Sequence, residues 1–266
     1  IAVAGAGAAV IAATAFAFDR GLLLPGVAAL LGLVLAAAAG GWAVHGADIK
    51  ERARLRRAFG SYLDPRIIDA MVEREQEPGF GGEQREVSVL FSDLAGFTAT
   101  AEALPPAEVA ALLNDYFDGL AAAVVAEGGL VANLIGDGMF ALFGAPLPQP
   151  DHAARAVAAA RRIDAFARDF EARHAARGVR LGATRIGVHT GVAMVGNLGT
   201  RARLQYGAIG DAVNLAQRLE GLNRETGTRI AVSAATARAA GGAFRPLGAF
   251  AVKGRLGEVE ALTPEP

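Results

Sequence analysis

The sequence predicts an α+β domain in which helices cover one sheet, and three features carry that expectation. Between residues 87 and 261, apolar runs of strand length alternate with longer amphipathic stretches of helical period. Two apolar runs, 130–135 and 138–143, flank Gly136 and Asp137, the pattern of a β-hairpin closed by a short turn. The polar, glycine-rich segment QEPGFGGEQRE at 76–86 separates this pattern from what precedes it, which sets a domain boundary there.

Composition removes several function classes before any motif is read. The 266 residues are 53% hydrophobic with a net charge of −1, which argues against a broad nucleic-acid-binding face. The absence of cysteine excludes disulfides, thiol catalysis and thiolate metal sites together. Lys50 and Lys253 are the only lysines, so arginine at surface positions reflects a compositional bias and carries little functional weight.

Taken in order, the chain opens with an uncharged run, 1–18, followed by Asp19 and Arg20 and then a second uncharged run, 21–44. Each approaches the ~20 residues that cross a bilayer, so two transmembrane helices are expected over 1–46; a buried soluble helix is the alternative for either. The first run lacks an initiator Met and a basic start, unlike a cleavable signal, and a chain opening on Ile1 is expected to continue upstream. Lys50, Arg52, Arg54, Arg56 and Arg57 follow the second run, which places this end in the cytoplasm by the positive-inside rule. Residues 47–82 read as a cytoplasmic signalling helix and connector, broken near Gly60 and Pro65, or as a basic helix touching lipid headgroups. The domain proper, 83–266, is expected to hold strand 87–92, helix 105–127, strands 130–135 and 138–143, and helix 151–177. Strands 183–189 and 192–196, a helix from Asp211 to Asn223, strand 229–232 and a terminal strand pair near 244–261 complete it.

Two acidic positions stand out against these apolar surroundings. Asp93 ends the strand VSVLFSD and Asp137 sits in the hairpin turn. If the two strands are neighbours, the carboxylates form a divalent-metal site. Hard cations such as Mg²⁺ take few protein oxygens and leave the other positions to water and substrate phosphates. Each Asp taken singly also suits an N-cap or an ordinary turn. Gly96 and Gly136 are expected to give close backbone approach where phosphates would sit.

FSDLAGFT (91–98) followed by LIGDGMFALFGAP (134–146) resembles the metal-binding signature of the class III nucleotidyl cyclases, the adenylate and guanylate cyclases. The resemblance continues through IGVHTG (186–191), VGNLGTRARLQYGAIGDAVNLAQRLEGLN (195–223) and VKGR (252–255), and spans roughly 55–262. It implies a ferredoxin-like catalytic core in which Asp93 and Asp137, with the Leu94 carbonyl, hold two divalent ions, Mg²⁺ or Mn²⁺. Backbone amides from Ala95 through Gly96, Phe97 and Thr98 would cradle the triphosphate. By the same resemblance Asn214 holds the ribose, Arg218 stabilises charge growing on the α-phosphate, and Lys253 reaches the terminal phosphates. Asn214 and Arg218 stand four residues apart, hence on one helix face. The family supplies this pair and the aspartates from different subunits, so a homodimer with shared active sites is implied.

The pattern departs at the purine. Adenine-selective members carry Lys where this chain has Asn133, and Asp or Thr where it has Gly207. Guanylate cyclases carry Glu and a small or thiol residue there. ATP is favoured as substrate because the connector RRAFGSYLDPRIIDAMV, the GAP ending of the hairpin and the IGDAVNLA helix resemble bacterial membrane-bound adenylate cyclases. The product would be 3′,5′-cyclic AMP, made at the inner (plasma) membrane by a multi-pass protein with a cytoplasmic catalytic domain. Relaxed or guanine selectivity is one alternative and an inactive cyclase-like regulatory module another. A diguanylate-cyclase or polymerase palm shares the two-metal logic, but no GGDEF-like turn stands at the hairpin. His152 and His189 are expected to be structural.

Overall fold

A computed structural model describes residues 81–200, 203–251 and 257–265, together with Phe16, Asp19 and Arg20. The expected transmembrane pair, the connector and Lys253 lie outside the described residues. The chain divides into two compact units, Ile1–Pro65 and Arg66–Pro266, and the fold below belongs to the second.

The described residues build one eight-stranded sheet. Its strands are β1 (Gly81–Leu94), β2 (Leu130–Ile135), β3 (Gly138–Phe143), β4 (Thr184–Thr200), β5 (Arg203–Ile209), β6 (Ile230–Ser233), β7 (Phe244–Ala251) and β8 (Glu258–Pro264). The order is β2-β3-β1-β4-β6-β8-β7, with β5 paired to the far half of β4. Five helices accompany it: α1 (Phe97–Ala103), α2 (Pro106–Ala126), α3 (His152–Ala175), α4 (Asp211–Thr226) and α5 (Ala234–Ala240). The mixed α+β architecture agrees with expectation, and both hairpin strands lie on their expected residues.

Alternation along β1 explains why the sheet carries helices on both faces. Leu90 and Leu94 point into a core with Tyr116 and Leu120 of α2 and Ile163 and Phe170 of α3. Val87 and Val89 point the other way, toward Phe140, Leu142 and Ala212 and Ala216 of α4. A third cluster packs Leu215, Leu219 and Leu222 of α4 against Ala231, Val259 and Ala261. Among the described residues α2 is the one helix long and apolar enough to cross a membrane. Its Tyr116, Leu120 and Val124 are fully buried in the domain, so it is a core helix.

Several elements differ from the sequence reading. β1 begins at Gly81, inside the stretch read as linker, because Gly81–Glu86 pair with Val192–Asn197 of β4. β4 is one strand where two were expected. β1 pairs along it without interruption, while its other edge passes from β6 to β5. β5, α1 and α5 were not anticipated: the helices have seven residues each, too few to show a period, and β5 contains Gly207.

Candidate active site

The first motif and the hairpin meet as the metal reading requires. β3 runs antiparallel to β1 with Ser92 opposite Met139, so the hairpin turn comes level with Asp93. Gly136, at φ 63°, supplies the left-handed residue that a two-residue turn needs at its first position. Gly138 permits the close approach: a Cβ there would lie 2.9 Å from the Ser92 carbonyl oxygen. At Gly96 and Gly136 a Cβ would meet no protein atom within 4 Å, and both residues have positive φ, a conformation that favours glycine. The amide of Leu94 donates to Asp137 Oδ2 at 3.3 Å, which fixes the Asp137 carboxylate beside the end of β1.

The charge environment reflects this proximity. Burial raises the Asp137 carboxyl above its ordinary range, and the negative charge of Asp93 raises it further. Two neighbouring groups went unnoticed in the sequence. Arg185, directly opposite Asp93 in the β1/β4 register, donates from Nη2 to Asp93 Oδ2. Its Nε lies 3.1 Å from Oε1 of Glu220 on α4, yet both atoms are buried and make no aligned hydrogen bond. Burial, then the charges of Asp93 and Asp137, push Glu220 up to about 7, with Arg185 opposing. The one available signal was the position of Arg185 immediately before IGVHTG.

Two half-buried carboxylates with a guanidinium already neutralising one of them fit a cation site. Their oxygens are hard donors suited to Mg²⁺ or Mn²⁺. Among the described residues no group of three or more His, Asp or Glu side chains is arranged around a metal position, so main-chain oxygen, water and substrate would complete the shell.

Packing of α4 on β4 brings Glu220 there. A Cβ on Gly187 would lie 2.2 Å from both Ala216 O and Glu220 N, so only glycine lets the helix sit so close. Asn223 Nδ2 donates to Ile186 O at 2.9 Å and pins the next turn. Asn214 and Arg218 share the exposed side of this helix. At 3.6 residues per turn, Arg218 points roughly 200° away from Glu220. Glu220 meets Arg185 on the sheet side of the helix, while Asn214 and Arg218 are exposed. Arg218 also lines a cavity of about 600 Å³ with Arg185, Arg224, Phe250 and Ala251. Ala251 precedes the segment that carries Lys253.

The remaining expected residues are distributed around this centre. Gly96 precedes α1, Thr98 is exposed, and the Phe97 side chain packs on the core, leaving its main chain for the expected role. The Ala95 amide is not free for a phosphate, since it donates to Ala183 O at 3.1 Å. Asn133 is exposed and follows a register shift in β2, and Gln205 Nε2 donates to the neighbouring Ala132 carbonyl. A Cβ at Gly207 would meet only Leu198 Cδ1, at 3.8 Å, so a side chain has room there. His152 and His189 are held in structural contacts, by Ser88 Oγ at 2.9 Å and Ser233 Oγ at 2.7 Å.

Comparison with known proteins agrees with this geometry. Residues 82–262 match the adenylate and guanylate cyclase catalytic domain. Adenylate cyclase 1 of Rhizobium meliloti is 36% identical over 199 residues, covering 74% of this chain and 30% of that protein. An uncharacterised Mycobacterium tuberculosis protein is 38% identical over 194 residues, covering 72% of this chain and 32% of its own length. The chain thus spans about a third of the curated relatives it matches. Among solved structures, the guanylyl cyclase Cya2 superposes with a TM-score of 0.63 at 37% identity, covering 69% of this chain and 93% of that one. The adenylyl cyclase CyaB from P. aeruginosa gives 0.63 at 29% identity, covering 69% and 95%. With the family matched over residues 82–262 and a relative 36% identical over 199 residues, this chain belongs to the class III adenylate and guanylate cyclase catalytic domain family.

Proposed function

We propose that the chain is the catalytic end of a membrane-bound adenylate cyclase that converts ATP to 3′,5′-cyclic AMP and pyrophosphate in a homodimer. The observation that carries this reading is the convergence of Asp93 and Asp137 at the end of β1, joined through the Leu94 amide. In the reaction the ribose 3′-oxygen bonds to the α-phosphorus as the bond to the pyrophosphate oxygen breaks. Two divalent ions, when bound, supply acidification of the hydroxyl and neutralisation of the phosphates. Asp93 and Asp137 would hold them, with the Leu94 main chain alongside.

Asn214 orients the ribose and Arg218 meets the charge that develops on the α-phosphate. The amides of Gly96, Phe97 and Thr98 and the ammonium of Lys253 receive the outer phosphates. The exposure of Asn214 and Arg218 supports their service to a second subunit's aspartates. The uncharged runs over 1–44 and the basic cluster after them support a multi-pass anchor at the inner (plasma) membrane with 83–266 as the cytoplasmic catalytic domain.

A second reading, relaxed base selectivity, is favoured by Gly207, which offers no side chain where there is room for one. Hydrogen bonds to a base edge give the strongest discrimination, and one partner is missing. The test is cyclic nucleotide production by the purified chain with each of ATP, GTP, CTP and UTP, in Mn²⁺ and in Mg²⁺. Preference for ATP is expected. Equal turnover of ATP and GTP would establish relaxed selectivity, and no product from any triphosphate would contradict an active cyclase.

A further inference from the structure

We infer that the cavity between α4 and the β7/β8 pair is a binding site for an apolar carboxylate, in its simplest form a medium-chain fatty acid. Its volume of about 600 Å³ falls within the ~300–1,000 Å³ of small-molecule sites. The walls are apolar. Leu215, Leu219 and Leu222 of α4 stand with Phe250 of β7 and Val259 of β8, and all five belong to the third hydrophobic cluster or pack on it. An apolar body in the cavity would extend that cluster and release water held between hydrocarbon walls.

The charged part of the lining selects the head group. Arg218 and Arg224 both border the cavity, six residues and so ~9 Å apart along the helix axis. Among the described residues neither guanidinium has a carboxylate partner, and Glu225 is the one acid that borders the cavity. The third arginine there, Arg185, is already paired with Asp93 and Glu220. Gly221 lies between Arg218 and Arg224, and a Cβ there would meet nothing within 4 Å, so the helix leaves that stretch uncovered. A carboxylate accepts paired N–H donors from one guanidinium or single donors from two, and such charge-assisted bonds are the strong ones. A cation would meet two like charges, a neutral molecule would leave both guanidiniums unanswered, and a small inorganic anion would leave the apolar walls uncovered. Inhibition is the expected consequence, because an occupant engages Arg218. That consequence rests on the proposed role of Arg218 at the α-phosphate, whereas the binding site does not.

The test is equilibrium dialysis of radiolabelled octanoate against the full chain, without nucleotide or metal, with a blank of the same buffer and lipid subtracted. Saturable binding is expected. Hexanoate should bind about tenfold more weakly, because two fewer CH₂ groups are buried. Unlabelled octanamide and octylammonium should compete at least about tenfold less well than unlabelled octanoate, because neither accepts a charge-assisted bond from arginine. Arg224→Gln should weaken octanoate about three- to tenfold with the circular dichroism spectrum unchanged. Glu225→Gln, which removes the opposing charge, should not weaken it. No saturable binding, equal competition by octanamide, or full affinity in Arg224→Gln overturns the site. Activity is read separately: octanoate should slow cyclic nucleotide production by the unaltered chain, and less so by Arg224→Gln. An active chain that binds octanoate at full rate overturns the inhibition and leaves the site standing. A chain that makes no cyclic nucleotide fails the cyclase reading, and the dialysis still decides the site.

Discussion

Glu220 shows how a single buried acid ties the site to the stability of the whole domain. Its pKa is raised from 4.5 to about 7, so the folded state holds this proton more tightly than the unfolded chain. The stabilisation is fully present below 4.5 and is lost as pH rises through about 7. Asp137, also raised, contributes with the same sign, while His152, lowered by burial, contributes with the opposite sign. Thermal unfolding of the metal-free protein is therefore expected to show a Tm that falls across this window relative to Glu220→Gln, in which the slope is reduced. A slope unchanged by Glu220→Gln would contradict the assignment. At this scale the sequence was informative where a residue carries its own signature. Asp93 was legible because it ends an apolar strand just before a glycine-containing turn, and Asp137 because it stands between two glycines amid apolar runs. Arg185 and Glu220 were not, because their role depends on a helix lying across a strand and on no local pattern. The need for glycine at 138 was not legible for a similar reason, since its close approach to Ser92 is visible only from the neighbouring strand.

Among the elements, α4 links the parts of the site. Its apolar positions Leu215, Leu219 and Leu222 gave a helical period in the sequence, and the helix was expected from Asp211. What could not be read was its depth on the sheet, which Gly187 sets by leaving no Cβ between β4 and the helix backbone. Gly187→Ala would push backbone against backbone, and a cost of about 1–3 kcal/mol is expected for such overpacking. Urea unfolding should show the midpoint fall accordingly. An unchanged midpoint would mean that α4 is free to ride outward without cost. The hairpin was legible to the residue because turn chemistry and apolar runs agree over 130–143. β5 was not, because its pairing with β4 comes from a distant register and its own residues include a glycine and a glutamine.

For the molecule as a whole, the shared-site proposal turns on α4. Glu220 meets Arg185 beneath the helix, and Asn214 and Arg218 are exposed on it. A two-fold dimer would let each copy complete the other's site. Fold class and the motif positions were accessible from sequence because long motifs fix chain order. The sheet order and the switch of β4 between two neighbours were not, since they depend on contacts between segments far apart in the chain. The most direct measurement of the shared-site account is complementation in the presence of Mn²⁺ and the preferred triphosphate. Asp93→Asn and Arg218→Ala chains are each expected to lose at least about 10²-fold in rate when assayed alone. Mixed in equal amounts and allowed to exchange subunits, they should recover about one quarter of the unaltered activity, since half the dimers then hold one intact site. A mixture no more active than its separate components, with exchange verified, would contradict the account.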